Sequence, residues 1–409
     1  MKCKKLFAVL LPVILFCACL PTPEEDFVVQ KDSETLLEKA TADAAPHAQH
    51  IESSTAYTYC TVTFDFDLPE TANSYPIYAA SKGGVSAEAY ANLLHALSMG
   101  QEWQTVSGKT LDPTHLGRGS FQAIRPAGDG HPRAELRGNV DGSNFTFLTR
   151  FSQDNPEMVI GMREILPITN FEEYRALADL LEGTAPPLSY EEALQIADAC
   201  VSEAGCFDHY RLQCGERAAY ITLLDTKASS DGWRFTYTPA FCGLQTAYED
   251  GWSMRRGDFT TTGAPWEPME ALILYVEQEI VYAQLYSYTD YVQQQDAAVL
   301  SGADAVAQME RLLQKQFDVE NKDVRMTEIT VPRVTPIYAV IENEQGEALA
   351  IPGWEIRYFE KIIFDSGTVW ESKAAEPVYM SAIDGSYIEP RVSAQTLRNM
   401  QAEMQAENG

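Results

Sequence analysis

The pattern that most constrains the fold is a succession that runs twice in the C-terminal half: a capped amphipathic helix, then strand material with a Gly-Trp pair inside it. In the first round Ser189-Tyr-Glu-Glu192 is a capping box, and Ala193, Leu194, Ala197, Cys200 and Val201 share one helical face. Strand-like Ala218 to Leu224, then Gly232-Trp233-Arg234-Phe235-Thr236-Tyr237, then Ala271 to Tyr288 follow. In the second round a helix from about Ser301 presents Val306, Met309, Leu313 and Phe317. Met326 to Ile341, Gly353-Trp354-Glu355-Ile356-Arg357-Tyr358 and Val378 to Ile388 supply its strands. Strands grouped after single helices predict antiparallel meanders, because a parallel sheet needs a crossover between successive strands. Two rounds fall short of a solenoid, so two related α+β units are expected. The matched places of Trp233 and Trp354 predict that each anchors its own core; Trp266 is a further large aromatic within the first round.

Upstream, Cys60, Val62, Phe64, Phe66 and Leu68 alternate with Tyr59, Thr61, Thr63, Asp65 and Asp67, the period of a half-buried strand. Tyr75 to Ala79 is a second strand. Ser86 can cap a helix whose Tyr90, Leu93, Leu94 and Leu97 fall on one side, with Gly100 as its terminator. Gln101 to Pro132 reads as loops and short edges. Arg133 to Arg137, Phe145 to Phe151 and Met158 to Ile165 read as strands, and Thr169-Asn-Phe-Glu172 caps a further helix. The expected fold is therefore α+β, antiparallel sheets with helices packed on one face. Its expected division is a leader at 1–18, a tether at 19–56, an N-terminal domain at 57–188, helix-meander units at 189–295 and 296–392, and a polar tail at 393–409.

The leader rests on Met1 to Cys19. Lys2, Lys4 and Lys5 precede an apolar run, Leu6 to Phe16, that closes in Cys17-Ala18-Cys19 before a polar stretch. The run is short of the roughly 20 residues that span a bilayer, and Pro12 interrupts it, so it is an export signal rather than a membrane span. Phe16-Cys17-Ala18-Cys19 resembles the lipobox of bacterial lipoproteins, which implies cleavage before Cys19 and a diacylglycerol on its sulfur. An ordinary signal cut after Ala18 is the alternative. The membrane is thus an expected partner, through lipid.

Acidic residues outnumber basic ones 59 to 30, giving a formal charge of -29. That balance makes nucleic acid and anionic lipid surfaces poor partners. Past Cys19 the cysteines are Cys60, Cys200, Cys206, Cys214 and Cys242, an odd number, with no Cys-x-x-Cys pair to suggest zinc. Buried thiols or one local disulfide are the expectation, with the pairing open.

No motif forces a reaction. Ile362-Ile363-Phe364-Asp365-Ser366-Gly367-Thr368 has the form of an aspartic-protease loop, but that chemistry needs two carboxylates sharing a proton. Leu223-Leu224-Asp225-Thr226 lacks the glycine, so a hairpin turn is expected at Asp365. The six histidines, among them His95 and His209, do not pair at metal spacing, and no cofactor or metal site is expected. His115 and His131, with Arg118, Arg125 and Arg133, form the one basic stretch; a solvated loop is favoured over a site for an acidic ligand.

Asp65-Phe-Asp67-Leu-Pro69, Tyr75-Pro76-Ile77-Tyr78, Ala264-Pro265-Trp266-Glu267-Pro268-Met269-Glu270 and Ile351-Pro352-Gly353-Trp354-Glu355-Ile356 resemble a family of uncharacterised lipoproteins of Gram-positive, largely gut-dwelling bacteria. The C-terminal rounds, with Ser381-Ala382-Ile383-Asp384-Gly385-Ser386, are similar to small modules of peptidase-propeptide type and to lipoprotein-like regulators of envelope sensor kinases. The first round has Glu277-Gln278-Glu279 where the Asp-Gly hairpin should recur. The resemblance implies binding or regulation of another envelope protein without chemistry. A substrate-binding lipoprotein of an importer and an envelope hydrolase are the alternatives.

Overall fold

The computed structural model describes residues 49–128, 131–149, 163–167, 185–222, 227–247, 270–342, 347–372 and 375–388. The chain begins with β1 (Gln49–Ala56), β2 (Cys60–Leu68), β3 (Ser74–Lys82), helix α1 (Ala87–Ala96) and β4 (Gln104–Thr105). A 3-10 turn (Pro113–His115) leads to β5 (Gly119–Arg125), β6 (Ala134–Val140), β7 (Phe145–Thr149) and β8 (Arg163–Pro167). Helix α2 (Tyr190–Ala204) precedes β9 (Tyr210–Thr222), β10 (Lys227–Phe241), β11 (Leu244–Gln245), β12 (Leu272–Val276), β13 (Ile280–Leu285) and β14 (Thr289–Ala298). Helix α3 (Gly302–Phe317) precedes β15 (Val324–Glu342), β16 (Ala348–Phe364), β17 (Val369–Glu371), β18 (Glu376–Ser381) and β19 (Tyr387–Ile388). The class is α+β, dominated by strands.

Contacts divide the described residues into two units, one built from those up to Ala80 and from Tyr291 onward, the other from those between Ser81 and Asp290. The first holds a sheet ordered β1-β2-β15-β16-β18-β19, the second a sheet ordered β4-β5-β6-β7-β13-β12-β10-β9-β8. The first unit is not one consecutive segment. β2 joins β15 and β7 joins β13, so strands from 57–188 extend the sheets of both later rounds.

Local signals explain most elements. β2 buries Cys60, Val62, Phe64, Phe66 and Leu68 and turns its threonines and aspartates the other way. Ser86 accepts the Ala89 N–H at 3.1 Å to start α1, which buries Tyr90, Leu93 and Leu94. The Ser189/Glu192 capping box is complete at α2, whose end is the left-handed Gly205, and Ser301 accepts the Asp304 N–H at α3. α3 buries Ala305, Met309 and Leu313, and its Phe317 meets Tyr358 edge-on at 5.2 Å. In the other unit α1 and α2 cover one face of the sheet, over Leu136, Phe145, Phe147, Phe235, Tyr237, Leu272 and Leu274.

Three expectations need correction. Gln49–Ala56, inside the stretch read as tether, is a strand: β1 carries QHIESSTA, polar on both faces, so it has no periodicity to read and is held by its ladder to β2. Gly119–Arg125, inside the expected loops, is a strand paired along its length with β6. The first unit's sheet is mixed, because β2 runs parallel to β15. The helix expected from Thr169, Trp266 and the tail at 393–409 lie outside the described residues.

The Gly-Trp pairs occupy matching places. Trp233 lies opposite Val276, and a Cβ at Gly232 would sit 2.5 Å from the Val276 carbonyl oxygen. Trp354 lies opposite Met380, and a Cβ at Gly353 would sit 3.0 Å from the Met380 carbonyl oxygen. The glycine lets the neighbouring strand's backbone close beside the tryptophan. Gly232→Ala is therefore expected to cost about 1–3 kcal/mol, and Gly353→Ala distinctly less, in urea unfolding. Equal stability of Gly232→Ala and the unsubstituted chain would refute this close approach.

Candidate functional site

The face of the second unit's sheet turned away from α1 and α2 carries several buried polar side chains. Residues directly opposite on neighbouring strands share a face, so the register lays out two rows. One runs Glu216, Arg234, Tyr275, Tyr282, Leu148, Glu135 and Ile124. The next runs Cys214, Thr236, Ile273, Gln284, Thr146, Arg137 and Gln122. The intervening row, Gly215, Phe235, Leu274, Ala283, Phe147, Leu136 and Ala123, points to the helices and is apolar throughout.

Arg234, Glu135, Thr236, Tyr275, Leu148 and Ile273 in the polar rows are buried. Both acids sit near an arginine. Glu135 accepts from Arg137 Nε and from Gln122 Nε2, and Arg234 Nε lies 3.8 Å from Glu216 Oε1. The Tyr282 hydroxyl donates to Gln284. A buried carboxylate left without such a cation would be strongly disfavoured, so these pairs are what permits a polar row inside. The Thr236 hydroxyl is buried with no hydrogen-bond partner among the described residues. Chemically the rows are a hydrogen-bonding surface with its charges already matched.

A second cluster lies at the start of β9. His209 stacks on Phe241 with ring centroids 5.8 Å apart and meets Tyr210 and Tyr288 edge-on. Burial pushes its pKa down, favouring neutral imidazole. Beside it the buried Glu270 accepts the Tyr210 hydroxyl and, at 3.1 Å, the Thr289 N–H. The sequence gives little sign of this group, since its members are scattered from 209 to 289.

The residues singled out from sequence are placed as follows. Cys19 and Asp225 lie outside the described residues. Asp365 starts the turn between β16 and β17: the Phe364 N–H donates to Thr368 O at 2.9 Å, the Gly367 N–H to Phe364 O at 3.0 Å, and Gly367 has φ +82°. Cys60 and Cys200 are buried, Cys206 is half-buried, Cys214 and Cys242 are exposed, and no disulfide joins any two of them. Burial pushes the Cys60 thiol up to about 11 and the Cys200 thiol up to about 12, so both are inert at neutral pH. Among the described residues no group of three His, Cys, Asp or Glu could hold a metal ion, and no helix is long and apolar enough to cross a membrane.

The basic stretch does not converge. His115 turns to Asp112 in its own 3-10 turn at 2.7 Å, and Arg118 is exposed, 3.9 Å from Asp141. Arg125 is buried, donating to Leu97 O at 2.7 Å and to Glu279 at 3.4 Å, and His131 also meets Glu279 at 3.1 Å. Glu279 belongs to the Glu277-Gln278-Glu279 connection that stands where the second round has Asp384-Gly385. Its departure from that hairpin supplies the counter-ion for a buried arginine.

No family model matches the chain, and no curated protein matches it. Among solved structures it is similar to an uncharacterized protein from Eubacterium rectale ATCC 33656, with a TM-score of 0.49, 12% identity, and coverage of 88% of this chain and 99% of that one.

Proposed function

We propose that the chain is an exported lipoprotein, held on the outer face of the cell membrane through Cys19, whose folded part acts by binding or regulating another envelope protein. The observation that carries this is the N-terminal succession of Lys2, Lys4 and Lys5, the apolar Leu6 to Phe16, and Cys17-Ala18-Cys19. Two acyl chains on one cysteine hold a protein stably where one would exchange, at about 0.8 kcal/mol for each buried CH₂. The polar sheet face with matched charges, and the placement of Asp365 in a hairpin turn, support recognition over hydrolysis. The same reading treats the rounds after Ser189 and Ser301 as related units. In support, β9-β10-β12-β13 and β15-β16-β18-β19 are neighbours in the same order, and each Gly-Trp pair stands in the second strand.

The test is fractionation. The native protein should sediment with membranes and partition into detergent, and Cys19→Ala should release it or leave an uncleaved precursor. A Cys19→Ala protein that is cleaved and still membrane-bound would remove the lipid anchor.

A further inference from the structure

We propose that the outer edge of β1 is a docking site for an extended, lysine- or arginine-bearing segment of a partner protein, which adds to the first unit's sheet as its next strand. This deepens the binding reading above by naming the surface and the chemistry of the partner.

β1 ends the strand order of its sheet among the described residues, and most of its side chains are exposed. Its ladder to β2 runs through eight successive pairs without a bulge. It contains no lysine, proline or glycine, the residues that commonly blunt an edge. The Tyr57 N–H donates to Cys60 O at 2.7 Å across the two-residue loop, which fixes the alternation of the antiparallel ladder. Thr55, Ser53, Ile51 and Gln49 then spend their backbone groups on β2. His50, Glu52, Ser54 and Ala56 direct theirs outward, as a row of donors and acceptors that no strand among the described residues takes up.

Charge selects the occupant. The side chains that accompany the outward row lie on the sheet face carrying Asp65 and Asp67, which are 69% and 86% exposed. Glu52 stands directly opposite Asp65, a like-charge pair across the ladder that is unfavourable. His50 lies 3.0 Å from Asp67 and 3.7 Å from Asp65, leaving Glu52 unmatched by it. A lysine or arginine on an added strand, opposite Glu52, would relieve that pair while its backbone completes the row. A second copy of this chain brings another formal charge of -29 and is repelled as a whole.

The test uses the full chain in detergent and labelled synthetic peptides of about ten residues, read by fluorescence anisotropy. A peptide alternating lysine with threonine should bind, and one with glutamate for lysine should not. A third, N-methylated at every residue, keeps the charge but has no backbone N–H to donate to the ladder, and should bind roughly tenfold more weakly. Ser54→Pro removes an N–H that β2 does not use, so it should leave the unfolding midpoint near its original value while weakening the lysine peptide roughly tenfold. Glu52→Lys should weaken it roughly fivefold or more, without touching the backbone. Equal binding of the unmodified and N-methylated lysine peptides would mean attraction to an acidic surface only, and would overturn the proposal. So would unchanged binding in both variants, or a dimer in sedimentation that Ser54→Pro dissolves. None of these outcomes bears on the Cys19 anchor, which fractionation tests separately.

Discussion

Glu279→Ala is expected to destabilise the second unit by about 3–5 kcal/mol, because it strands a buried guanidinium. Arg125 is 1% exposed and Glu279 11% exposed at their side chains. Two backbone carbonyls, Leu97 O at 2.7 Å and Pro132 O at 3.3 Å, accept from the guanidinium but carry no net charge. Removing the carboxylate leaves the cation desolvated with only those dipoles, and the energy of restoring water falls on the fold. Glu279→Gln keeps an acceptor and should cost less. Arg125→Met combined with Glu279→Leu should recover much of the loss, since a well-packed apolar pair often replaces a buried ion pair at little cost. Urea unfolding of the four proteins checks this. A Glu279→Ala protein as stable as the parent would mean that Arg125 is compensated elsewhere.

That pair also shows where sequence reasoning stops. Arg125 and His131 stand together in a Gly-rich stretch and read as one basic patch, but a sequence gives no sign that Arg125 points inward. The carboxylate that decides the matter is 154 residues away. The elements that were legible are those set by local chemistry: the caps at Ser86, Ser189 and Ser301, the alternation of β2, and the turn at Asp365. Each is fixed by residues within one or two turns of chain. β1 and β5 were not legible, because a strand paired to a stronger neighbour needs no amphipathic pattern of its own. The polar rows were hidden for a related reason. Arg234, Thr236 and Glu135 read as the solvent side of half-buried strands, whereas all three side chains are buried. The parallel β2–β15 pairing joins segments more than 250 residues apart, beyond any periodicity.

Trp354→Ala is expected to cost the first unit about 3–5 kcal/mol, the range for truncating a fully buried large aromatic. Trp354 is 2% exposed and sits in the middle of β16, opposite Pro336 on one side and Met380 on the other. Its indole Nε1 has no hydrogen-bond partner among the described residues, so part of its packing energy already offsets a buried unmatched donor. Trp354→Phe removes that donor with much of the apolar area retained, and should cost far less than the alanine change. Trp233 behaves differently despite its matching place. It is partly exposed, its Nε1 donates to Leu188 O at 2.9 Å, and it rests edge-on against Tyr190 at 5.2 Å. Trp233→Ala should therefore be the milder alanine variant, and Trp233→Phe, which forfeits a made hydrogen bond, should lose more relative to its alanine counterpart than Trp354→Phe does. Urea unfolding of the four variants, followed by far-UV circular dichroism, gives the ordering. If Trp354→Ala proved no worse than Trp233→Ala, the second tryptophan would not be the anchor that its burial implies, and the matched register of the two Gly-Trp pairs would be a feature of strand spacing rather than of two cores.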